Sequence, residues 1–493
     1  MSSFSETEDG KFPSSSQMKW IVTALLIYFG VRLLYFAVNI SPYVPPDEVT
    51  HFGVCTIFSK AFLLPVNSPD SYQYGLVTNI PWLYYWAMGK LLHLNFFGAS
   101  DLVFLRILNI PLAFATVYYV WKLLRLLTHN RLASILVVVA MTNTLMFSFL
   151  SATVSYDNLA NLLAAMAIYY LFAFFRERSG HQVALSLFCL LAGCLTKITF
   201  LPLALLLAAV FVIHEIRNIS RLPSALKHYF KSQGKRAALL LTAVLVALVL
   251  NIDLYGGNYV NYNAFNPPIE AVLPLENAMK YRLAARNHIF KLFKEGKIGI
   301  DKAKEMASQI THPGDRQDAI TIVENYAYLQ QSGFQPMGLL PYTAVWFLQM
   351  LSTSFGIKAH IGMANAGFSF IPLFLLILFV LAAYLVRWRP WQLNWLPASL
   401  LGISVGYAAF LLYKINYQNY IESKDIVLTV AGRYIFPVMG PVYAVSCLYL
   451  VRLFKGEKGR LALAAATALA LIVSDFPFFL SHVTAEWYDW IAR

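Results

Sequence analysis

A chain of 493 residues that is 58% hydrophobic and only 13% charged is not an ordinary soluble protein, in which about a quarter of the residues carry charge. Its net charge of +13 does not call for nucleic acid, because the basic loops of a membrane protein are held on the cytoplasmic side by the insertion rule and by anionic lipid. Four cysteines give neither a disulfide framework nor a zinc spacing: Cys189, Cys194 and Cys447 lie inside apolar segments and only Cys55 lies outside one.

Apolar runs of about 20 residues recur along the whole chain without strand-like alternation, which predicts an all-α polytopic membrane protein and excludes a β-barrel. Residues 1–19 are polar and Ser-rich with no cleavage signature and read as a short cytoplasmic tail. Spans are predicted at Trp20–Ile40, Val103–Leu127, Leu132–Ser151, Leu159–Phe175, Val183–Leu195, Phe200–Ile213, Ala237–Ile252, Phe368–Val386, Leu393–Leu412, Tyr434–Leu453 and Leu461–Leu480. Five loops are basic, marked by Lys122, Arg125 and Arg131; Arg176 and Arg178; Arg217 to Arg236; Arg387 and Arg389; and Arg452 to Arg460. These loops and the tail share the cytoplasmic side only if the aromatic stretch Pro81–Leu94 does not cross. That stretch is also shorter than the roughly 20 residues a span needs. It therefore reads as an interfacial helix, which leaves about 11 spans, the N-terminus inside and the C-terminus outside.

Two outer loops are then large. The first covers residues 41–102. The second covers 253–367, and its middle alternates charged and apolar residues at helical spacing, with a break at Pro313-Gly314, as a small helical subdomain would. Its end, Leu339–Phe355, is apolar enough to lie on the membrane. The remaining units are 20–252, holding seven spans with the first outer loop, and a C-terminal membrane module at 368–493.

The stretch Pro45-Pro46-Asp47-Glu48-Val49-Thr50-His51 stands out. The double proline fixes the backbone as it leaves the first span, and Asp47 and Glu48 open a helix where its dipole favours acids. They are either a plain helix cap or, at the lip of a bundle cavity, carboxylates in lowered dielectric. In the second case the pKa rises and Asp47 becomes a better proton acceptor. His51 lies four residues on and can share the helix face with Asp47. Other polar residues fall at outer ends of spans. Asp157 opens a helix, as a cap or as part of a site. Lys197 sits in a tight turn, where snorkelling would also explain it. Arg433, before Tyr434, lies on the outer face, where positive-inside bias disfavours an arginine and a phosphate oxyanion would suit one. Arg106 is near another outer end, and Arg32 lies within the first span, as a functional charge or a snorkelling one. Asn251, Asp253 and Tyr255 end the seventh span, with Gly256-Gly257 as a helix stop.

Taken together, Pro46-Asp47-Glu48-x-x-His51, Arg106-Ile-Leu-Asn109, Asp157-Asn158, Leu195-Thr-Lys197, Asn251 with Tyr255-Gly256, Ser354-Phe-Gly356 and Gly432-Arg433-Tyr434 resemble the GT-C superfamily of glycosyltransferases. Within it they look like a broad bacterial multi-span family with that acidic motif in its first outer loop. The resemblance runs along nearly the whole chain. It implies a GT-C-like bundle that moves a sugar from a polyprenyl-phosphate donor to a glycan, lipid-linked or other hydroxyl acceptor at the outer face of a bacterial inner membrane, in the making of cell-envelope polysaccharide. Carried over, Asp47 is the general base of an inverting displacement, and Glu48 supports it or binds a hydroxyl. Arg433 and Lys197 are candidate partners of the lipid phosphate. His51, Lys60, Arg106, Asp157, Tyr255 and Tyr434 are further candidate substrate contacts. No cofactor and no metal ligand set is expected, since fixed cations replace a divalent ion, and no Gly-rich nucleotide loop appears. The second loop lacks a Trp-Trp-Asp-type signature, so transfer to asparagine is not implied, and nothing points specifically to the aminoarabinose branch. A flippase or other transporter of lipid-linked glycan would not need adjacent carboxylates and usually shows internal repeats. An O-antigen-type polymerase or ligase would lean on arginines of the large late loop.

Overall fold

In hydrocarbon no water satisfies a peptide group, so a continuous apolar run closes its hydrogen bonds within a helix. The computed structural model shows that outcome, with helices, short tight turns and loops and no strand among the described residues. Those residues are 13–96, 98–216, 229, 231–310, 313–333, 335–357, 359–360, 363, 395–425, 430–454 and 456–488. The span expected at Phe368–Val386, the start of the one at Leu393–Leu412, most of the tail, and Arg217, Arg221, Lys227, Arg387, Arg389 and Lys455 lie outside them.

Helix α1 (Ser15–Asn39) starts from a capping box between Ser14 and Gln17. It is followed by α2 (Glu48–Lys60), α3 (Leu83–Leu91), α4 (Asp101–Leu127), α5 (Arg131–Thr142), α6 (Leu145–Ser151), α7 (Tyr156–Glu177), α8 (Gly180–Cys194), α9 (Phe200–Glu215) and α10 (Lys235–Tyr262). The second outer loop holds α11 (Arg282–Lys294), α12 (Ile300–Ser308), α13 (Pro313–Gln331) and α14 (Leu339–Phe355). The chain returns through α15 (Trp395–Ser423), α16 (Phe436–Leu450) and α17 (Glu457–His482). Among the described residues α1, α4, α7, α10, α15 and α17 are long and apolar enough to cross a membrane, and α5 with α6 makes a seventh if that bent pair is one span. Helices α8 and α9 have 15 and 16 residues, about 22–24 Å, short of a hydrocarbon layer of about 30 Å.

The two ends of the bundle separate the chemistry. At one end Arg131 donates to the Pro13 carbonyl at 3.0 Å, Arg178 pairs with Glu215, and His181 bonds Tyr229 at 3.0 Å. The basic loops after α4, α7 and α9 are thereby gathered with the start of α1. At the other end the Ser41 N–H donates to the Trp487 carbonyl at 2.7 Å. The first and last described segments therefore lie at opposite ends of α1. The aromatic stretch Pro81–Leu94 forms only the 9-residue α3 and a short tight turn, and α3 packs on α2, with Gly89 so close that a Cβ would lie 2.7 Å from the Cys55 carbonyl oxygen.

Two expected elements differ. The run Leu132–Ser151 is not one straight helix but turns by 64° between α5 and α6. No Pro or Gly marks the break. Arg32 Nη2 donates to the Thr142 carbonyl at 2.7 Å and the Ser148 hydroxyl to the same oxygen at 2.9 Å, so side chains replace the helical ladder there. Gly256-Gly257 is likewise no helix stop. The backbone widens to a π turn over Ile252–Gly256 and stays helical to Tyr262. The Tyr255 hydroxyl donates to the Cys194 carbonyl at 2.6 Å and Asn251 to the Leu191 carbonyl at 3.0 Å, which holds the widened turn against α8. In the second outer loop α11, α12 and α13 enclose a small core of Ala285, Ile289, Ala303, Ala307, Ala319 and Val323. Helix α14 seats Tyr342, Trp346 and Met350 in the main bundle core.

Arg32 does not snorkel. It is buried, pairs with Asp475 at the break inside α17, and lies over the Tyr28 ring at 4.3 Å. Asp475→Asn leaves that guanidinium charged without its carboxylate and should cost about 3–5 kcal/mol. Arg32→Met with Asp475→Leu should recover much of the loss in thermal unfolding of the purified protein, and an unchanged single variant would contradict this pairing.

Candidate functional site

The site is built where the chain leaves α1. Asp47 adopts φ 60° and ψ 11°, a left-handed conformation that is uncommon outside Gly and costs on the order of 1–3 kcal/mol. Its backbone is fully used: the N–H donates to His360 Nε2 at 3.3 Å and the carbonyl accepts from the His51 N–H at 2.9 Å. The His360 N–H in turn donates to the Val44 carbonyl at 3.0 Å. The side chain makes no cap bond to α2. The cap reading of Asp47 therefore fails, since the carboxylate is aimed elsewhere.

It is aimed at two arginines. Asp47 Oδ1 accepts from Arg282 Nη2 at 3.0 Å and Oδ2 from Arg433 Nη2 at 2.9 Å. Arg282 comes from α11 in the second outer loop, and Asp315 fixes it through Nη1 at 2.8 and 2.7 Å. Arg433 comes from the turn before α16. That turn seats on α14 because residue 432 is glycine: a Cβ there would lie 2.2 Å from Ser354 Oγ and 2.6 Å from Ser354 N. The Gly432 N–H donates to Thr353 Oγ1 at 2.8 Å. The Asp47 side chain keeps 28% exposure while that of Arg433 keeps 9%. Arg433 Nε is buried with no hydrogen-bond partner among the described residues.

Asp47 and Arg282 face a cavity of about 620 Å³ between the first outer loop and α11–α12. Its wall mixes polar groups (Thr50, Gln73, Lys280, Gln309) with apolar ones (Tyr43, Ile289). Arg433 and Lys197 are not on that wall. They lie behind Asp47 in a buried tier where Lys197 pairs with Asp157 and sits 5.0 Å over the Tyr434 ring and 5.1 Å over that of Tyr156. Arg433 lies 5.3 Å over Tyr434. Lys197 is thus paired, not snorkelling. Ser155 Oγ accepts from the Asp157 N–H at 3.2 Å, so Ser155 caps α7 and the Asp157 carboxylate is left for Lys197.

Glu48 is separated from this group although it follows Asp47. It is buried and accepts from Arg106 Nε at 2.8 Å, from Arg106 Nη2, and from the Val154 N–H at 2.8 Å. Arg106 spends its remaining nitrogen on the Ala37 and Ile40 carbonyls at 3.0 and 2.7 Å. Both side chains are fully consumed in tying α2 to α1, α4 and the start of α7. In this structure Glu48 and Arg106 are thus committed to each other and to backbone groups, although Glu48 also borders the cavity. His51 is buried, bonded through Nδ1 to the Tyr85 hydroxyl at 2.8 Å, with its ring 4.5 Å from that of Tyr156. Lys60 closes the 13-residue α2, about 20 Å along the helix from Asp47, and does not join the site. Tyr255 does not either, its hydroxyl being committed to Cys194.

The pKa of Asp47 moves opposite to the direction expected from the sequence. Burial raises it, but Arg433, His51 and Arg282 outweigh burial and hold the carboxyl well below the usual carboxylate range. Burial pushes the His51 imidazole down to about 4 against the pull of Asp47 and Asp157. At neutral pH His51 is therefore uncharged, and the two arginines hold the carboxylate. Arg282, Asp315 and His360 were not singled out in the sequence. Arg282 lies among alternating charges that look like a solvated helix face, and no signal distinguishes it from Arg286 or Lys291. Among the described residues no group of three or more His, Cys, Asp or Glu is placed to hold a metal ion.

No protein-family model and no curated protein matches the chain. Among solved structures it is similar to ArnT from Cupriavidus metallidurans in the apo state, with 14% identity over 88% of this chain and 78% of that one, at a TM-score of 0.36. The same protein bound to undecaprenyl phosphate gives 12% identity over 95% and 91%, at 0.35. At such scores the likeness carries no argument about this chain.

Two substitutions test the geometry. Gly432→Ala should unseat Arg433 and lower activity at least about tenfold while the protein stays folded. Glu48→Gln should instead lower thermal stability by about 3–5 kcal/mol, because it leaves Arg106 buried and unpaired. A stable Glu48→Gln protein without activity would return Glu48 to the chemistry.

Proposed function

We propose that the chain is a GT-C-type membrane glycosyltransferase that moves a sugar from a polyprenyl-phosphate donor to a hydroxyl acceptor, with inversion and with Asp47 as general base. The observation that carries this reading is the Asp47 carboxylate itself: free of capping, in a strained backbone, on the wall of a large cavity and between two guanidiniums. The acceptor oxygen attacks the anomeric carbon as the bond from that carbon to the phosphate oxygen breaks. The phosphate leaves with the electron pair, and Asp47 takes the acceptor's proton. A carboxylate held far below the usual range is a weak base, so the mechanism needs its arginines to be drawn off. The donor phosphate does this by engaging Arg433, whose Nε has no partner among the described residues and whose neighbour Lys197 adds a second cation. The acceptor then occupies the cavity in front of Asp47.

In this reading the long helices, the bent pair and the shorter apolar helices belong to a bundle of about 11 spans with residues 20–252 as its seven-helix module. Asp47 faces the exterior of a bacterial inner membrane, the basic loops face the cytoplasm, and the acceptor belongs to a cell-envelope polysaccharide.

The test is transfer by purified protein in nanodiscs, offered a panel of polyprenyl-phosphate sugars and hydroxyl acceptors. Wild type should form a glycosidic product, and Asp47→Asn should bind donor but lose about 10²–10⁴ of the rate. Normal turnover by Asp47→Asn would end the base assignment. The free protein keeps Asp47 ionised and His51 neutral, so kcat/KM should show no acid limb from either between about pH 5 and 8. A limb near pH 6–7 that vanishes in Asp47→Asn would contradict the clamped carboxylate.

A further inference from the structure

At the opposite end of the bundle the last turns of α4 and α7 form a second recess of about 420 Å³. Glu48, next to Asp47, pairs with Arg106 of α4, and the recess starts at Trp121, further along the same helix, so it lies roughly 25–30 Å away along α4 and belongs to a different surface. Its walls include Trp121, Lys122, Arg125, Tyr169, Arg176 and one acid, Glu177. Basic residues at such an end are ordinary by themselves, since insertion bias and helix dipoles both favour them. Their arrangement here is not that of freely extended side chains. Lys122 is half-buried, with Nζ 4.5 Å over the Tyr169 ring and 5.5 Å over that of Tyr118. Arg125 Nη1 donates to the His129 carbonyl at 3.1 Å and Arg176 Nη1 to the Leu126 carbonyl at 3.0 Å. Each cation is held in place by an aromatic face or a carbonyl, and none has a carboxylate partner among the described residues. Glu177 is engaged instead by Gln182. Three anchored cations thus line a concave space together with one acid that is already engaged.

We infer that this recess binds the phosphodiester headgroup of an anionic phospholipid from the leaflet opposite the candidate active site. Fixed guanidiniums and an ammonium match phosphate oxygens and lose little rotamer freedom on binding. The recess opens where two membrane-spanning helices end, and Tyr118, half-exposed below it, offers an aromatic surface at the level where headgroup meets acyl chain. A free phosphate would satisfy the cations but would not reach the aromatic surface of Tyr118.

The test is native mass spectrometry of the full-length protein in detergent, titrated with phosphatidylglycerol, with phosphatidylcholine and with soluble glycerol 3-phosphate. Wild type should retain phosphatidylglycerol over phosphatidylcholine, and glycerol 3-phosphate should not displace it. Lys122→Gln with Arg176→Gln should weaken retention at least about tenfold. The exposed pair Lys231→Gln with Lys235→Gln, which removes the same charge at the same end, should leave it unchanged. If the double variant does not fold, Arg176→Gln alone, at an exposed position, should show a smaller loss in the same direction. Equal losses in both pairs would mean a diffuse basic surface, and displacement by glycerol 3-phosphate would mean a free-phosphate site. Either result, or full retention by the recess variants, overturns the proposal.

Discussion

A charge removed from water must be paired, and the membrane makes that requirement stricter than any other on this chain. Among the described residues three buried ion pairs answer it: Arg32 with Asp475, Arg106 with Glu48, and Lys197 with Asp157. Each joins elements far apart in sequence, and together they fix where the chain leaves α1 and where α4, α7 and the turn between α8 and α9 end. Asp47 is the exception that these pairs make possible. It is held by two cations yet keeps part of its surface on a cavity.

That arrangement explains how adjacent acids take different tasks. Glu48 is satisfied from three sides by groups that cannot leave without opening the fold. Asp47 is satisfied by two arginines on elements that meet only at this point, one from the outer subdomain and one from the turn before α16. A partner supplied by a separate element can be withdrawn, and an anion competing for it would return the carboxylate to the ordinary range. The strained backbone of Asp47 is retained because His51 and His360 occupy its peptide groups, with His360 itself anchored on the Val44 carbonyl, and it keeps the side chain turned away from the helix it precedes.

Much of this was legible in the sequence, unevenly. The all-helical fold followed from the length of the apolar runs, and the gathering of the basic loops after α4, α7 and α9 at one end followed from the insertion rule. Asp47, His51, Asp157, Lys197, Arg433 and Tyr434 could be picked out because polar residues at span ends are few, and the structure brings them together. Glu48 and Arg106 could be picked out by the same rule, but their pairing depends on a meeting of α2 and α4 that no local pattern announces. The break at Thr142 was hidden because side chains from α1 and α6 cause it, without Pro or Gly. Gly256-Gly257 misled because a glycine pair stops a helix only when the backbone turns left-handed, and here both residues stay helical under the hold of Tyr255 and Asn251. Arg282 and His360 were invisible because their importance lies in contacts 235 and 313 residues away.

The most direct measurement is the affinity of a plain polyprenyl phosphate, carrying no sugar, for wild type and for Asp47→Asn at neutral pH. If the carboxylate occupies the cations that the lipid phosphate needs, removing its charge abolishes the competition, and Asp47→Asn should bind the lipid several-fold to about tenfold more tightly. Equal or weaker binding by Asp47→Asn, with the protein folded, would show that lipid phosphate does not compete with Asp47 for its arginines, and the proposed exchange at the heart of the mechanism would be wrong.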